Sequence, residues 1–172
     1  MAIRRSSRGF VLLIAVIFMS VMLTFGLALG SLAYKQQVLA SSAVESQYAF
    51  YAADAGLECA LYADQQAGAF TPYPASAPAL SAVPSISCDG ASVAPYSSVW
   101  TSSVWTIAYR QFPIDAALPN PRCADVTIYK YSAPQATGVT TYVFSQGYDV
   151  SCGTVAGQTG ARFSSRGLNA RY

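Results

Sequence analysis

Histidine is absent from the 172 residues. Its absence removes imidazole acid–base catalysis, Ser/His/Asp and Cys/His relays, and every metal site that needs an imidazole ligand. Charge is scarce as well. Asp, Glu, Lys and Arg make up 10% of the chain, against roughly 25% in ordinary soluble domains. The hydrophobic share of 53% is too high for disorder, so the shortfall reflects a part of the chain that avoids water. A net charge of +2 makes no general case for nucleic-acid binding. There is neither a phosphate loop nor a convincing nucleophile arrangement. Together these absences weigh against an enzyme and leave no cofactor to expect.

The missing charge is concentrated in one place. Residues Phe10 to Tyr34 (FVLLIAVIFMSVMLTFGLALGSLAY) form a run of 25 residues without a single charge, long enough as helix to cross a bilayer core of about 30 Å. Arg4, Arg5 and Arg8 precede it. By the excess of basic residues that side stays cytoplasmic, and everything after Lys35 lies outside the membrane. Ordinary secretion is the competing reading, with a small-residue cut at Ser31-Leu32-Ala33, but the apolar run is long for a signal and the helical pattern continues past the cut. Gly26 and Gly30 are spaced as GxxxG, a pattern that favours close helix packing in membranes. It is also an ordinary tolerance of such helices for glycine.

Proline is absent from residues 35–67 and Gly56 is the one glycine there, so the helix is predicted to continue outward to residue 67. Val44, Tyr48, Tyr51, Ala55, Cys59 and Tyr62 recur every three or four positions and predict the stripe that carries the rest of the domain. Glu45, Asp54, Glu58 and Asp64 are expected on wetter faces as a solvated acidic surface. Residues 68–99, rich in Pro, Ala and Ser, read as an extended connection. In 100–172 short runs alternate with period two: Trp105, Ile107 and Tyr109 oppose Val104, Thr106 and Ala108, and Val126 and Ile128 oppose Thr127 and Tyr129. Three or four antiparallel strands are predicted there, laid on the helix in an α+β head.

Cys59, Cys88, Cys123 and Cys152 all follow the apolar run, and no CxxC occurs among them. Zinc and redox motifs therefore have little support, whereas two structural disulfides suit an oxidising compartment. Three pairings are open; Cys59 with Cys88 and Cys123 with Cys152 close spans of similar length.

The junction RRSSRG/FVLLIAV, with Gly9 before Phe10 and the apolar helix directly behind it, resembles the class III signal of type IV pilins and pseudopilins. The segment YAADAGLECALYAD, from Tyr51 to Asp64, is similar to the A-x-A-E-A-G-x-x-x-A region of minor pilins, with Asp54 where Glu is commoner. The likeness is specific over residues 4–64 and architectural beyond. It implies a pilin-like α+β fold in five parts: a leader over 1–9, a membrane and filament-core helix over 10–34, an external amphipathic helix over 35–67, a connecting loop over 68–99, and a β-rich head over 100–172. It also implies cleavage after Gly9 by a prepilin peptidase and N-methylation of Phe10. The leader takes three arginines with it, leaving seven basic and eight acidic side chains.

One position departs from the family. Most main pilins carry a Glu four residues after the first mature residue, here Phe10, paired with the amine of a neighbouring subunit, and Ile14 stands in its place. Minor tip subunits of pili and secretion pseudopili can also lack that Glu, so the resemblance implies a noncatalytic minor pilin at the tip or in assembly priming. Its implied partners are other pilin subunits, the inner-membrane assembly platform, the peptidase and, before assembly, the lipid membrane. A divergent major pilin and a type II secretion pseudopilin are the nearest alternatives, and a bitopic envelope or interaction protein is the alternative of another class. Adhesion through the twelve tyrosines and two tryptophans competes with plain packing for most of Trp100, Trp105, Tyr109, Tyr129, Tyr131, Tyr142 and Tyr148. DNA binding at Arg162, Arg166 and Arg171 is a narrower reading, set against simple solubilisation of the terminal strand.

Overall fold

The computed structural model describes residues 8–88, 90–135, 138–157 and 162–172. Arg4 and Arg5 of the expected leader lie outside the described residues. The chain divides between Ser42 and Ala43 into two compact units, and one helix, α1 (Arg8–Gln65), contributes to both.

Among the described residues of the first unit, α1 is the only element. Every side chain from Phe10 to Ser42 is exposed, including Phe10, Phe18, Leu23 and Phe25, and α1 is the one helix among the described residues long and apolar enough to cross a membrane. Its few polar side chains turn inward on the helix. Ser20, Thr24 and Ser31 donate to the carbonyls of Ile17, Val21 and Ala28, each at 2.8 Å. Such back-bonding satisfies a hydroxyl locally where no water is at hand. A membrane-associated topology follows from the composition and length of this segment.

The second unit is an α+β head in which the outer part of α1 packs on an antiparallel sheet. After α1 come a short 3-10 turn (Leu80–Ala82), β1 (Ile86–Cys88), β2 (Ala91–Val93), β3 (Ser97–Trp100), β4 (Val104–Ile114), β5 (Arg122–Tyr131), β6 (Thr141–Ser151), α2 (Cys152–Gly157) and β7 (Ser165–Arg171). The main sheet runs β3-β4-β5-β6-β7, each strand beside its predecessor, and β1-β2 form a separate hairpin. Four of these strands, β4 to β7, lie in the region where three or four were expected. The stretch 68–99, read as a connection, already contains that hairpin and the start of β3. Its signal was Asp89-Gly90 between short β-prone runs, a favoured two-residue hairpin sequence; Gly90 takes a φ of 76°.

The strand alternation is as the sequence predicts. Trp105, Ile107 and Tyr109 face the core from β4, and Val126 and Ile128 from β5. A bulge between Tyr109 and Phe112, with Gln111 at a φ of 57°, resets the alternation so that Phe112 is buried too. Asp125 holds this bulge by accepting from the Gln111 backbone at 2.9 Å.

The helix turns a different face to the sheet from the predicted stripe. Ala49, Ala52, Ala53, Gly56, Leu57, Ala60 and Ala63 are buried, whereas Val44, Tyr48, Tyr51 and Tyr62 are exposed. Of the predicted six, only Cys59 is buried. The period was right and the face was wrong, because helix and sheet approach closely. A Cβ added to Gly147 of β6 would collide with the backbone of Ala49 and Ala53, and one added to Gly56 would lie 2.7 Å from Ser145 Oγ and 3.0 Å from Ala124 Cβ. Only small side chains fit between them. Asp64 is a second correction: it is not solvated but buried against Lys130 of β5.

Two disulfides close the head. Cys59–Cys88 ties α1 to β1 and Cys123–Cys152 ties β5 to the start of α2, each across 29 residues. Crosslinks of this kind typically stabilise by about 2–4 kcal/mol.

Candidate functional site

The candidate functional elements are surfaces, and they begin at the start of α1. Gly9 and Phe10 lie in its first turn, and Phe10 is exposed, as is Ile14. Nothing charged accompanies Ile14 along this segment until Lys35. Gly26 and Gly30 face open space: a Cβ added to either would meet nothing within 4 Å. The GxxxG pair therefore packs on none of the described residues. What the first unit presents is a continuous apolar helical surface, whose counterpart is lipid or other helices.

In the head, most of the candidate adhesive aromatics are packing residues. Trp105, Tyr109 and Tyr148 are buried, and Trp100, Tyr129, Tyr131 and Tyr142 are half-buried. Trp100 Nε1 donates to the Pro74 carbonyl at 3.1 Å and stacks on Tyr73, and Tyr109 donates to the Pro84 carbonyl at 2.6 Å. These bonds strap residues 70–85 onto the sheet. Burial raises the Tyr109 hydroxyl well above its usual range. Tyr148 is pushed up to about 12, first by burial and then by the charge and hydrogen bond of Asp125, with Arg110 acting in the opposite direction. Both hydroxyls are neutral donors at ordinary pH.

One charged group is built deep into the head. Lys130 Nζ donates to Asp64 Oδ1 at 2.6 Å, to Asp64 Oδ2, and to Thr141 Oγ1 at 3.2 Å, and the Tyr172 hydroxyl also donates to Asp64. Burial, then the bond to Asp64 and its negative charge, raises the Tyr172 hydroxyl above its usual range. A cleft of about 490 Å³ lies over this group, between Phe70, Tyr73, Pro134 and Tyr172. The three ammonium protons are all taken up within the protein, so the group joins the end of α1 to β5, β6 and the terminal Tyr172.

Arg162, Arg166 and Arg171 are exposed on and beside the edge strand β7. Arg166 Nε already donates to Ser46 Oγ at 2.7 Å, so it fastens β7 to α1. Among the described residues there is no group of three or more His, Cys, Asp or Glu placed to hold a metal ion.

Sequence reasoning missed the outward face of α1 in the head. Tyr51 and Tyr62 are among the most exposed aromatics of that unit, at 65% and 61%, with Glu58 also exposed between them. The signal was the stripe itself: large aromatics at helical spacing beside a parallel run of alanines, two apolar faces on one helix. Comparison with protein-family models, with curated proteins and with solved structures finds no significant match to this chain.

Proposed function

We propose that the protein is a noncatalytic structural subunit of a type IV pilus or a related filament, and specifically a minor subunit at the tip or in assembly priming. Prepilin peptidase cuts after Gly9, Phe10 becomes the methylated N-terminus, and the apolar part of α1 passes from the membrane into a filament core. The observation that carries this reading is the Gly9-Phe10 junction at the head of an uncharged, wholly exposed helical segment. That segment belongs to the same helix whose outer part is built into an α+β head. Cutting there removes the basic leader and leaves the hydrophobic helix whole, available first to lipid and then to other subunits. Ile14 favours the minor role, since the segment has no acid to neutralise a neighbour's amine. The partners are other pilin subunits, the inner-membrane assembly platform and the peptidase.

A membrane-anchored external interaction protein with an uncut N-terminus is the second reading, favoured by a head with its own core and two disulfides. Mass spectrometry of the mature protein separates the two. Methylated Phe10 at the N-terminus is the expected result; an intact Met1 would leave the anchored protein, and a terminus at Tyr34 would mean ordinary secretion.

A further inference from the structure

The outward face of α1 in the head has an unusual chemistry. From Gln36 to Gln65 the helix carries four acids and no base. Asp64 has Lys130, but among the described residues no cation pairs with Glu45, Asp54 or Glu58. Glu58 stands at a cleft of about 330 Å³ lined by Ala55, Glu58, Cys59, Tyr62, Cys88 and Ile114. One wall is an exposed tyrosine, another is the Cys59–Cys88 disulfide with Ile114, and the single charge is a carboxylate. The head's own surface shows what such tyrosines attract. Arg122 lies 3.7 Å over the ring of Tyr48, and Arg110 lies 4.6 Å over Tyr96. Tyr48 and Tyr62 share the outward face of the helix, yet Tyr62, beside an unpaired carboxylate, has no such cap among the described residues. A guanidinium satisfies both features at once, because its plane stacks on an aromatic ring while its edge donates to a carboxylate.

We propose that this cleft is an anchor for a protein partner and holds one exposed arginine of a neighbouring, different subunit. The guanidinium donates to Glu58 and lies against Tyr62, and the methylene stem runs along Ile114 and the disulfide. The neighbour is supplied by the reading of the chain as an assembled subunit, on which this inference rests. Cys59–Cys88 then has a second role, since it forms a wall of the site as well as tethering the hairpin.

The test is a titration of the isotope-labelled full chain in detergent micelles with N-acetyl-arginine amide, read by amide chemical shifts. Saturable shifts at Ala55, Cys59 and Tyr62 are expected. They should be absent with the neutral isostere N-acetyl-citrulline amide and weakened about tenfold or more in Glu58→Gln, as for loss of a charge-assisted bond. Tyr62→Leu should weaken them as well. Both substitutions are at exposed positions, so unchanged thermal melting shows that the fold is intact. An equal response to citrulline or to N-acetyl-lysine amide, no saturation, or indifference to Glu58→Gln would overturn the proposal. Self-association of the chain that Glu58→Gln abolishes would overturn it in favour of a second copy. A Phe10 N-terminus without an arginine response sinks the cleft alone. An intact Met1 with a full response sinks the filament reading and leaves the cleft.

Discussion

Gly147 and Gly56 set how closely α1 lies on β6, and they do so unequally. At Gly147 the atoms that a Cβ would meet belong to the backbone of Ala49 and Ala53, which cannot move without displacing a helical turn. At Gly56 the nearest atom is a side-chain hydroxyl, Ser145 Oγ, buried and without a hydrogen-bond partner. A rotation of Ser145 can relieve that contact, and alanine in a helix gains about 1 kcal/mol over glycine. Gly147→Ala is therefore expected to cost more than about 3 kcal/mol, beyond the usual range for overpacking, and Gly56→Ala about 1 kcal/mol. Chemical denaturation of the two variants in the same detergent checks this; equal costs would mean that α1 is not in contact with β6 at Gly147. The same two glycines explain why the buried face of the helix was illegible. Apolar periodicity is read from large side chains, and most of the large ones here point away, while the buried face, Leu57 apart, is built of alanine, glycine and Cys59. Asp64 was misread for a related reason: its partner Lys130 is 66 residues away, and nothing local announces it.

At the scale of elements, what local pattern dictates could be read and what tertiary closure dictates could not. The long helix follows from an apolar run continued by a stretch free of proline, and its observed end at Gln65 is two residues short of the expected one. There Gly68, at a φ of 57°, turns the chain. The alternation in β4 and β5 was legible until the bulge at Gln111. The β1-β2 hairpin was passed over because prolines dominate its surroundings. Each of its strands is three residues long, and a lone two-stranded hairpin is marginal in water. It persists because Ile86 is buried in the core, the Pro84 carbonyl accepts from Tyr109, and Cys88 is tied to Cys59. Replacing Cys59 and Cys88 together by alanine should cost about 2–4 kcal/mol and act locally. Hydrogen exchange should accelerate from Ile86 to Val93 while β5 amides stay protected, and equal opening of β5 would show that the crosslink holds the whole head.

For the whole molecule, the decisive electrostatic fact is a long stretch with nothing to balance a charge. Between Arg8 and Glu45 the sole side chain charged at neutral pH is Lys35. If Phe10 becomes the N-terminus, its amine is cationic, and packing subunits so that this amine sits among apolar helices carries a desolvation penalty of several kcal/mol unless a carboxylate lies beside it. A subunit in the body of a filament has a neighbour on each side, so it must both bury its own amine and receive another's. This chain has no acid within reach of the latter task, and a subunit with no other seated above it is not asked to perform it. Placing a carboxylate four residues after the new terminus should lift that restriction. Ile14→Glu is therefore expected to raise the protein's share of sheared filaments, measured by quantitative mass spectrometry against the main subunit, from a trace toward a regular fraction, with processing at Gly9 unchanged. If the unaltered chain is already a regular component of the shaft, or if Ile14→Glu leaves its share at a trace, the missing acid does not set the chain's place in a filament.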